Sequence, residues 1–289
     1  RLKKQLKREL IQQEIGAKKP NRNRWVFSVL IALALAAILV SVYRQQQVSA
    51  PQKLFVKGIE QESLGQLSAA EKSYREIYQD YPQAQVAAEA LFRIGKIWQY
   101  DHQDEQKALL NYLQLEHDYP ESPLVLPARE EAAQIVKYSQ RDYSRAVEFY
   151  QRLLDLNTGT PDQYYYEIAD CYFRLKNYSQ ARIELETLLE NYPHSSLIVN
   201  ALYRKGGILL LEGRKEEARQ DWHRLIEQHP DSGYRIQAEF DLAKLLEEEE
   251  YLNEALQRYQ QLKGVLQPSS LQEKIEHLER RIAEKKGTI

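Results

Sequence analysis

The chain predicts an all-α fold: a single N-terminal transmembrane helix, an α-solenoid of about six helical hairpins, and a C-terminal capping helix. Three observations predict it. Residues 25–43 form one uncharged apolar run. A helix ending of the type LLENYPHS returns four times, at Pro82, Pro120, Pro193 and Pro230. Between those stops a buried-type alanine recurs at Ala70, Ala108, Ala146, Ala181, Ala218 and Ala255, at intervals of 38, 38, 35, 37 and 37 residues.

Residues 1–24 carry nine Lys/Arg against Glu9 and Glu14, a net charge of +7 in a chain whose total is −2. The remainder is therefore acidic, with a net charge of −9. A nucleic-acid binder needs its basic stripe on the folded surface, so this split argues against one. The chain has no Met and begins at Arg1, so a preceding initiator residue is expected. Leu2, Leu6 and Leu10, interleaved with Lys and Arg, suit a short helix lying on anionic lipid headgroups.

The run WVFSVLIALALAAILVSVY, Trp25 to Tyr43, spans about 28 Å as a helix, close to the hydrocarbon thickness of a bilayer. Trp25 and Tyr43 stand where interfacial aromatics belong, and Arg24 and Arg44 bracket the span. A cleaved signal peptide would use Val48-Ser49-Ala50. Against it, the apolar run exceeds a typical signal core, and Pro51 would follow the cut. The positive flank puts the N-terminus in the cytoplasm and the body on the far side of the membrane, which in a bacterium is the periplasm. Residues 44–52 read as a linker.

Residues 53–268 carry the repeat. Each unit pairs a small residue with an alanine twelve or thirteen positions on, then an aromatic or Leu after four more: Gly58–Ala70–Tyr74, Gly95–Ala108–Tyr112, Ala133–Ala146–Tyr150, Ala169–Ala181–Leu185, Gly206–Ala218–Trp222 and Ala243–Ala255–Tyr259. Small residues let paired helices approach, and the aromatic is expected to fill the gap against the neighbouring pair. Ser144 and Ser179 are candidate helix caps. Proline lacks an N–H and disfavours helical geometry in the residue before it, so each Tyr-Pro or His-Pro ends a second helix. Tyr81, Tyr119, Tyr192 and His229 are expected to pack over the joints. The third unit departs, with Pro123 and Pro127 and the closing stop LNTGTP, which predicts a bend or discontinuity near 121–163. Residues 269–289 form the last helix, with a capping box at Ser270 and Glu273 and an apolar stripe at Leu271, Ile275, Leu278 and Ile282. The stripe suits a cap on the open end of the stack, with a coiled-coil dimer contact as the alternative.

A search for chemistry yields no enzyme signature. The six histidines show no metal spacing, Lys205–Gly207 lacks the phosphate-loop pattern, and no serine elbow or carboxylate pair stands out. No cofactor is expected. Cys171, the only cysteine, is expected to be shielded inside a helix pair, with intermolecular pairing as the alternative.

Segments such as ALFRIGKIW with KALLNYLQLEHDYP, and YYYEIADCYFRLKNYSQARIELETLLENYP, resemble the tetratricopeptide repeat family, over about three quarters of the chain. The type is similar to membrane-anchored periplasmic members, including the ancillary repeat subunits of the bacterial Sec translocon. The resemblance implies a right-handed superhelix whose first helices line a concave groove for protein partners. It implies groove positions at Phe55, Phe92, Tyr166, Tyr203 and Phe240. One turn further on it places Ile59, Lys96, Asp170, Gly207 and Lys244, then Gln99, Phe173, Arg174 and Leu210. Aromatics occupy the places where some relatives carry the Lys of a carboxylate clamp, which argues against a chaperone-tail adaptor. The functional expectation is an inner-membrane-anchored scaffold or adaptor of the cell envelope, as a translocon or chaperone-linking subunit. The alternative is a scaffold for outer-membrane assembly, cell-wall synthesis or an export complex.

Overall fold

The computed structural model describes residues 2–16, 22–156, 159–263 and 269–287. Every regular element among them is helical. The chain divides into two compact units, Arg1–His102 and Gln103–Ile289.

The first unit holds α1 (Leu2–Gly16), α2 (Arg22–Ser63), α3 (Leu67–Asp80) and α4 (Ala87–Lys96), the last continued by a π-helical turn, Ile97–Asp101. Within α2, Val26–Tyr43 is long and apolar enough to cross a membrane, and no protein surface buries it. The side chains of Arg24, Trp25 and Arg44 lie outside the described residues. The expected linker at 44–52 is helical, because α2 runs through it without a break. Pro51 forfeits one intrahelical hydrogen bond there. Straight-chain glutamines on both sides favour the helix, and Pro51 itself is buried.

The end of α2 pairs with α3. Gly58 makes that pairing possible, since a Cβ there would sit 2.4 Å from the Tyr74 ring. Tyr74 is fully buried and its hydroxyl donates to Glu62 at 2.8 Å.

The second unit comprises α5 (Glu105–Asp118), α6 (Val125–Gln134) with a π-helical turn at Ile135–Ser139, α7 (Tyr143–Asp155), α8 (Pro161–Arg174), α9 (Tyr178–Asn191), α10 (Ile198–Leu211), α11 (Lys215–Gln228), α12 (Tyr234–Glu248), α13 (Leu252–Leu262) and α14 (Ser269–Gly287). Each helix packs on the next from α5 to α14, which makes the unit an α-solenoid. A continuous core runs from Ala169 to Leu278.

The aromatic four residues past the marker alanine meets the next hairpin at Tyr150, whose ring lies 6.4 Å from that of Tyr164, but where the small residue is Gly58 or Gly206 it lies over the glycine of its own hairpin. Trp222 lies over Gly206 of its own hairpin, where a Cβ would meet Nε1 at 2.4 Å, and its indole N–H donates to the Tyr203 carbonyl at 3.3 Å. A ring needs a flat, Cβ-free floor, and glycine supplies one.

One left-handed residue stands just ahead of each of α3, α5, α7, α9, α11 and α13. These are Gly65 and Gly213, with φ of 70° and 77°, and Gln103, Arg141, Lys176 and Glu250, with φ of 53°, 53°, 58° and 67°. Where the residue is Gln103, Arg141 or Lys176, the next one caps the second helix: Asp104, Asp142 and Asn177 accept from the N–H of Lys107, Arg145 and Gln180. The caps are therefore not Ser144 and Ser179, which fall inside the first turn of α7 and α9. An Asx side chain at the N-cap position satisfies the free N–H two or three residues on.

The stops share one geometry. Tyr81, Tyr119, Tyr192 and His229 all end their helices at φ between −133° and −126° and ψ between 52° and 59°. A following proline forbids the helical alternative. Tyr192 also packs over its joint, with its ring 5.9 Å from that of Tyr165.

The third hairpin needs correction. Pro127 falls in the first turn of α6, where its missing N–H has no intrahelical partner to lose. The helices α5 to α8 pack in unbroken succession, so the described residues show no discontinuity of the stack at 121–163. Asn157 and Thr158 of the LNTGTP stop lie outside the described residues. At the other end, Leu271, Ile275 and Leu278 of α14 are 2%, 4% and 0% exposed. The stripe is thus spent inside the unit, as a cap requires, rather than offered to a second coil. The Ser270 side chain of the expected capping box lies outside the described residues.

Candidate functional site

The spacing between small residue and marker alanine is twelve in four units and thirteen in two, Gly95–Ala108 and Ala133–Ala146. Those two are the units with π-helical turns. Their defining bonds run from His102 N–H to Ile97 O and from Gln140 N–H to Ile135 O, each 3.0 Å. The thirteenth residue is absorbed as a π-bulge, a feature often found at functional sites. In the second unit that turn carries Lys137 and Tyr138.

Lys137 is 2% exposed. Its ammonium pairs with Glu167, and with Asp170 at 2.7 Å, both on α8. Asp170 in turn pairs with Arg204 on α10, and with Arg174 at 3.3 Å on its own helix. The Arg204 guanidinium lies 5.0 Å from the Tyr166 ring centre and 5.8 Å from that of Phe173. One helix further, Tyr203 donates to Asp241 of α12 at 2.8 Å. The first helices of successive hairpins are thus laced together by a ladder of charges and rings.

Burial pushes the Asp170 carboxyl up, but hydrogen bonds from Lys137 and Arg204 outweigh it and hold the group at about 2. Burial also lowers Lys137, and Glu167 and Asp170 more than compensate, so its pKa is raised. Beside them the Cys171 thiol is fully buried and pushed up to about 12, chiefly by desolvation.

The structure gathers Tyr166, Asp170, Phe173 and Arg174 into this cluster. Phe240 packs instead against Tyr259, its ring centre 5.5 Å away, and Lys244 is exposed with an ion pair to Glu248 at 3.9 Å. In the first unit, Phe55 is 6% exposed beneath the Arg93 guanidinium, and Lys96 lies over Tyr100 at 4.5 Å and Phe92 at 6.0 Å.

Lys137, Glu167, Arg204 and Glu130 escaped the pattern reading. Register would have found Glu130. Three places before Ala169, Gly206 and Ala243 stand Tyr166, Tyr203 and Phe240, and three before Ala133 stands Glu130. Pro123 and Pro127 obscured that alignment. Where the row of rings is interrupted, a cavity of about 480 Å³ opens, lined by Glu130, Tyr138, Tyr150, Tyr164, Tyr166 and Glu167 among others.

Fold and face together define a helical-hairpin solenoid with a side-chain-rich first-helix surface. Residues 137–206 and 200–232 both match the tetratricopeptide repeat family, about a third of the chain. Residues 137–232 thus carry tetratricopeptide repeats, a family of protein-interaction scaffolds, within a longer stack of helical hairpins. No curated protein matches it in sequence. Among solved structures it is similar to a tetratricopeptide repeat protein from Parabacteroides merdae, at 18% identity and a TM-score of 0.51, covering 80% of this chain and 87% of the other. It is also similar to YrrB, a repeat protein described as having an unusual peptide-binding site, at 15% identity and a TM-score of 0.52, covering 72% of this chain and 97% of that one.

Proposed function

We propose that this protein is a membrane-anchored, non-catalytic scaffold of the bacterial envelope that holds a protein partner on the first-helix face of α6, α8, α10 and α12. The observation that carries the reading is the ladder of rings and charges on that face. Phe173 and Arg174 stay open to solvent at its edge while Asp170 and Lys137 are locked beneath. Extended segments are bound by surfaces of this kind, through aromatic contacts and fixed polar anchors. The peptide-binding site reported for YrrB supports a peptide-like partner. Tyr203, Phe240 and Lys244 extend the surface. Phe55, Phe92 and Lys96 form a corresponding set in the first unit.

In this reading 1–24 is a cytoplasmic tail, 25–43 spans the inner membrane, 44–52 continues the helix outward, 53–268 is the periplasmic repeat body and 269–289 its cap. The basic flank before the apolar helix supports that orientation. The exposed Leu2, Leu6 and Leu10 of α1 suit contact with headgroups.

A photo-crosslinking residue at Phe173 tests the partner face in cells, with Ile183 on α9, 43% exposed, as control. Adducts to defined envelope proteins from Phe173 and not from Ile183 are expected. Equal crosslinking at both positions, or none at Phe173, removes the reading. Identification of the adducts separates a translocon partner from an assembly, wall-synthesis or export complex.

A further inference from the structure

We infer that the cavity between α6 and α8 is a subsite for a cationic side chain, an arginine presented by an extended segment of the partner. This rests on the partner-binding reading above and gives it a chemistry.

The cavity exists because one rung is missing. Glu130 stands in the row occupied by Tyr166, Tyr203 and Phe240 on the following first helices, and its shorter, charged side chain leaves the space unfilled. Four of the walls are tyrosines, Tyr138, Tyr150, Tyr164 and Tyr166, and two are carboxylates, Glu130 and Glu167. Among the described residues no basic one lines it.

The carboxylates are held in place rather than consumed. Tyr164 donates its hydroxyl to Glu130, and Tyr138 donates to Glu167 at 2.9 Å. A carboxylate accepts about four hydrogen bonds, so both retain free acceptor positions. Glu167 is neutralised from behind by Lys137, which also serves Asp170. Glu130 takes part in no ion pair among the described residues, so its charge faces the cavity uncompensated.

Ring faces attract cations, and a planar guanidinium both stacks on them and bonds a carboxylate with two parallel N–H groups. An anionic or terminal-carboxylate ligand meets the uncompensated charge of Glu130 here and is rejected. A neutral apolar group fills the space but leaves Glu130 desolvated without a partner, which is costly.

The test uses the full chain in detergent micelles and the peptide Ac-Ala-Ala-Arg-Ala-Ala-NH2, followed by calorimetry or ligand-observed NMR. Comparison ligands are the same peptide with Gln for Arg, and agmatine, which carries a guanidinium without a backbone. The Arg peptide is expected to bind more tightly than both. Glu130→Gln is expected to weaken it about tenfold, the scale of one charge-assisted hydrogen bond. Glu130→Tyr, which restores the rung, is expected to abolish binding while helicity and thermal midpoint hold. Equal binding of the Gln peptide, no binding of the Arg peptide, or indifference to Glu130→Gln overturns the subsite. Agmatine binding as tightly overturns its assignment to a protein segment. Crosslinks from Phe173 that persist beside any of these failures leave the scaffold reading standing; loss of both removes both.

Discussion

Gly206 and Gly207 are neighbours in α10 with opposite structural constraints. A methyl at Gly206 strikes the fully buried Trp222 indole, whereas one at Gly207 meets nothing within 4 Å. Gly206→Ala is therefore expected to cost about 1–3 kcal/mol through overpacking. Gly207→Ala is expected to stabilise by up to about 1 kcal/mol through helix propensity. Thermal unfolding of the two variants should move the midpoint in opposite directions. Asp170 makes a pH prediction. Its carboxyl sits at about 2 in the folded protein against an ordinary value of 3.8, so its contribution is complete above about pH 4 and is lost as pH falls toward 2. That difference is worth on the order of 2 kcal/mol. Asp170→Asn should unfold more easily at pH 7 and lose that part of the pH dependence. An Asn variant whose denaturation midpoint tracks the native protein from pH 7 to pH 2 would show the ladder to be inert.

At the scale of the element, turns and caps decide where hairpins begin and end. Asn177 follows the left-handed Lys176 and caps α9 with its side chain. Asn177→Ala is expected to cost about 1 kcal/mol, the usual loss for an N-cap, readable by urea denaturation. The last helix has a larger role. Leu278 is fully buried where α14 closes the core, so Leu278→Ala should cost about 2–5 kcal/mol. If α14 served mainly as a dimer seam, that substitution would shift oligomeric state instead of the melting curve, which sedimentation velocity distinguishes.

At the scale of the whole molecule, charge and hydrophobicity are distributed along the chain rather than mixed. Nine basic residues precede the apolar helix and a net charge of −9 follows the first 24 residues. With an apolar helix spanning the bilayer, the protein should stay with membranes through alkaline carbonate and high salt and leave only with detergent, because salt screens charges but does not dissolve a buried apolar helix. A phosphatase reporter fused after Ile289 should be active, since the enzyme needs the periplasm. Activity of a cytoplasmic reporter at the same place would reverse the orientation.

Much of the architecture could be read from one dimension. A period of 35–38 residues, the Tyr-Pro stops and the small-residue markers are local rules repeated, and local sterics enforce them wherever the chain goes. Even the π turns were written in the spacing of thirteen, though nothing in the pattern said that Lys137 would ride on one of them into the interior. The functional face was not readable in the same way. Lys137 meets Glu167, Arg204 meets Asp170 and Tyr164 meets Glu130 across 30 to 34 residues of chain. Such partners depend on which side chains neighbouring hairpins present to each other.

The amino-acid order alone therefore determined the helices, their ends and the repeat, because backbone hydrogen bonding, proline sterics and glycine's missing side chain act within a few residues. Only the packed structure decided which charges are buried in pairs, which tyrosines guard carboxylates and where the missing ring at Glu130 leaves a cavity. Coulombic pairing and space-filling act between residues that sequence keeps a whole hairpin apart.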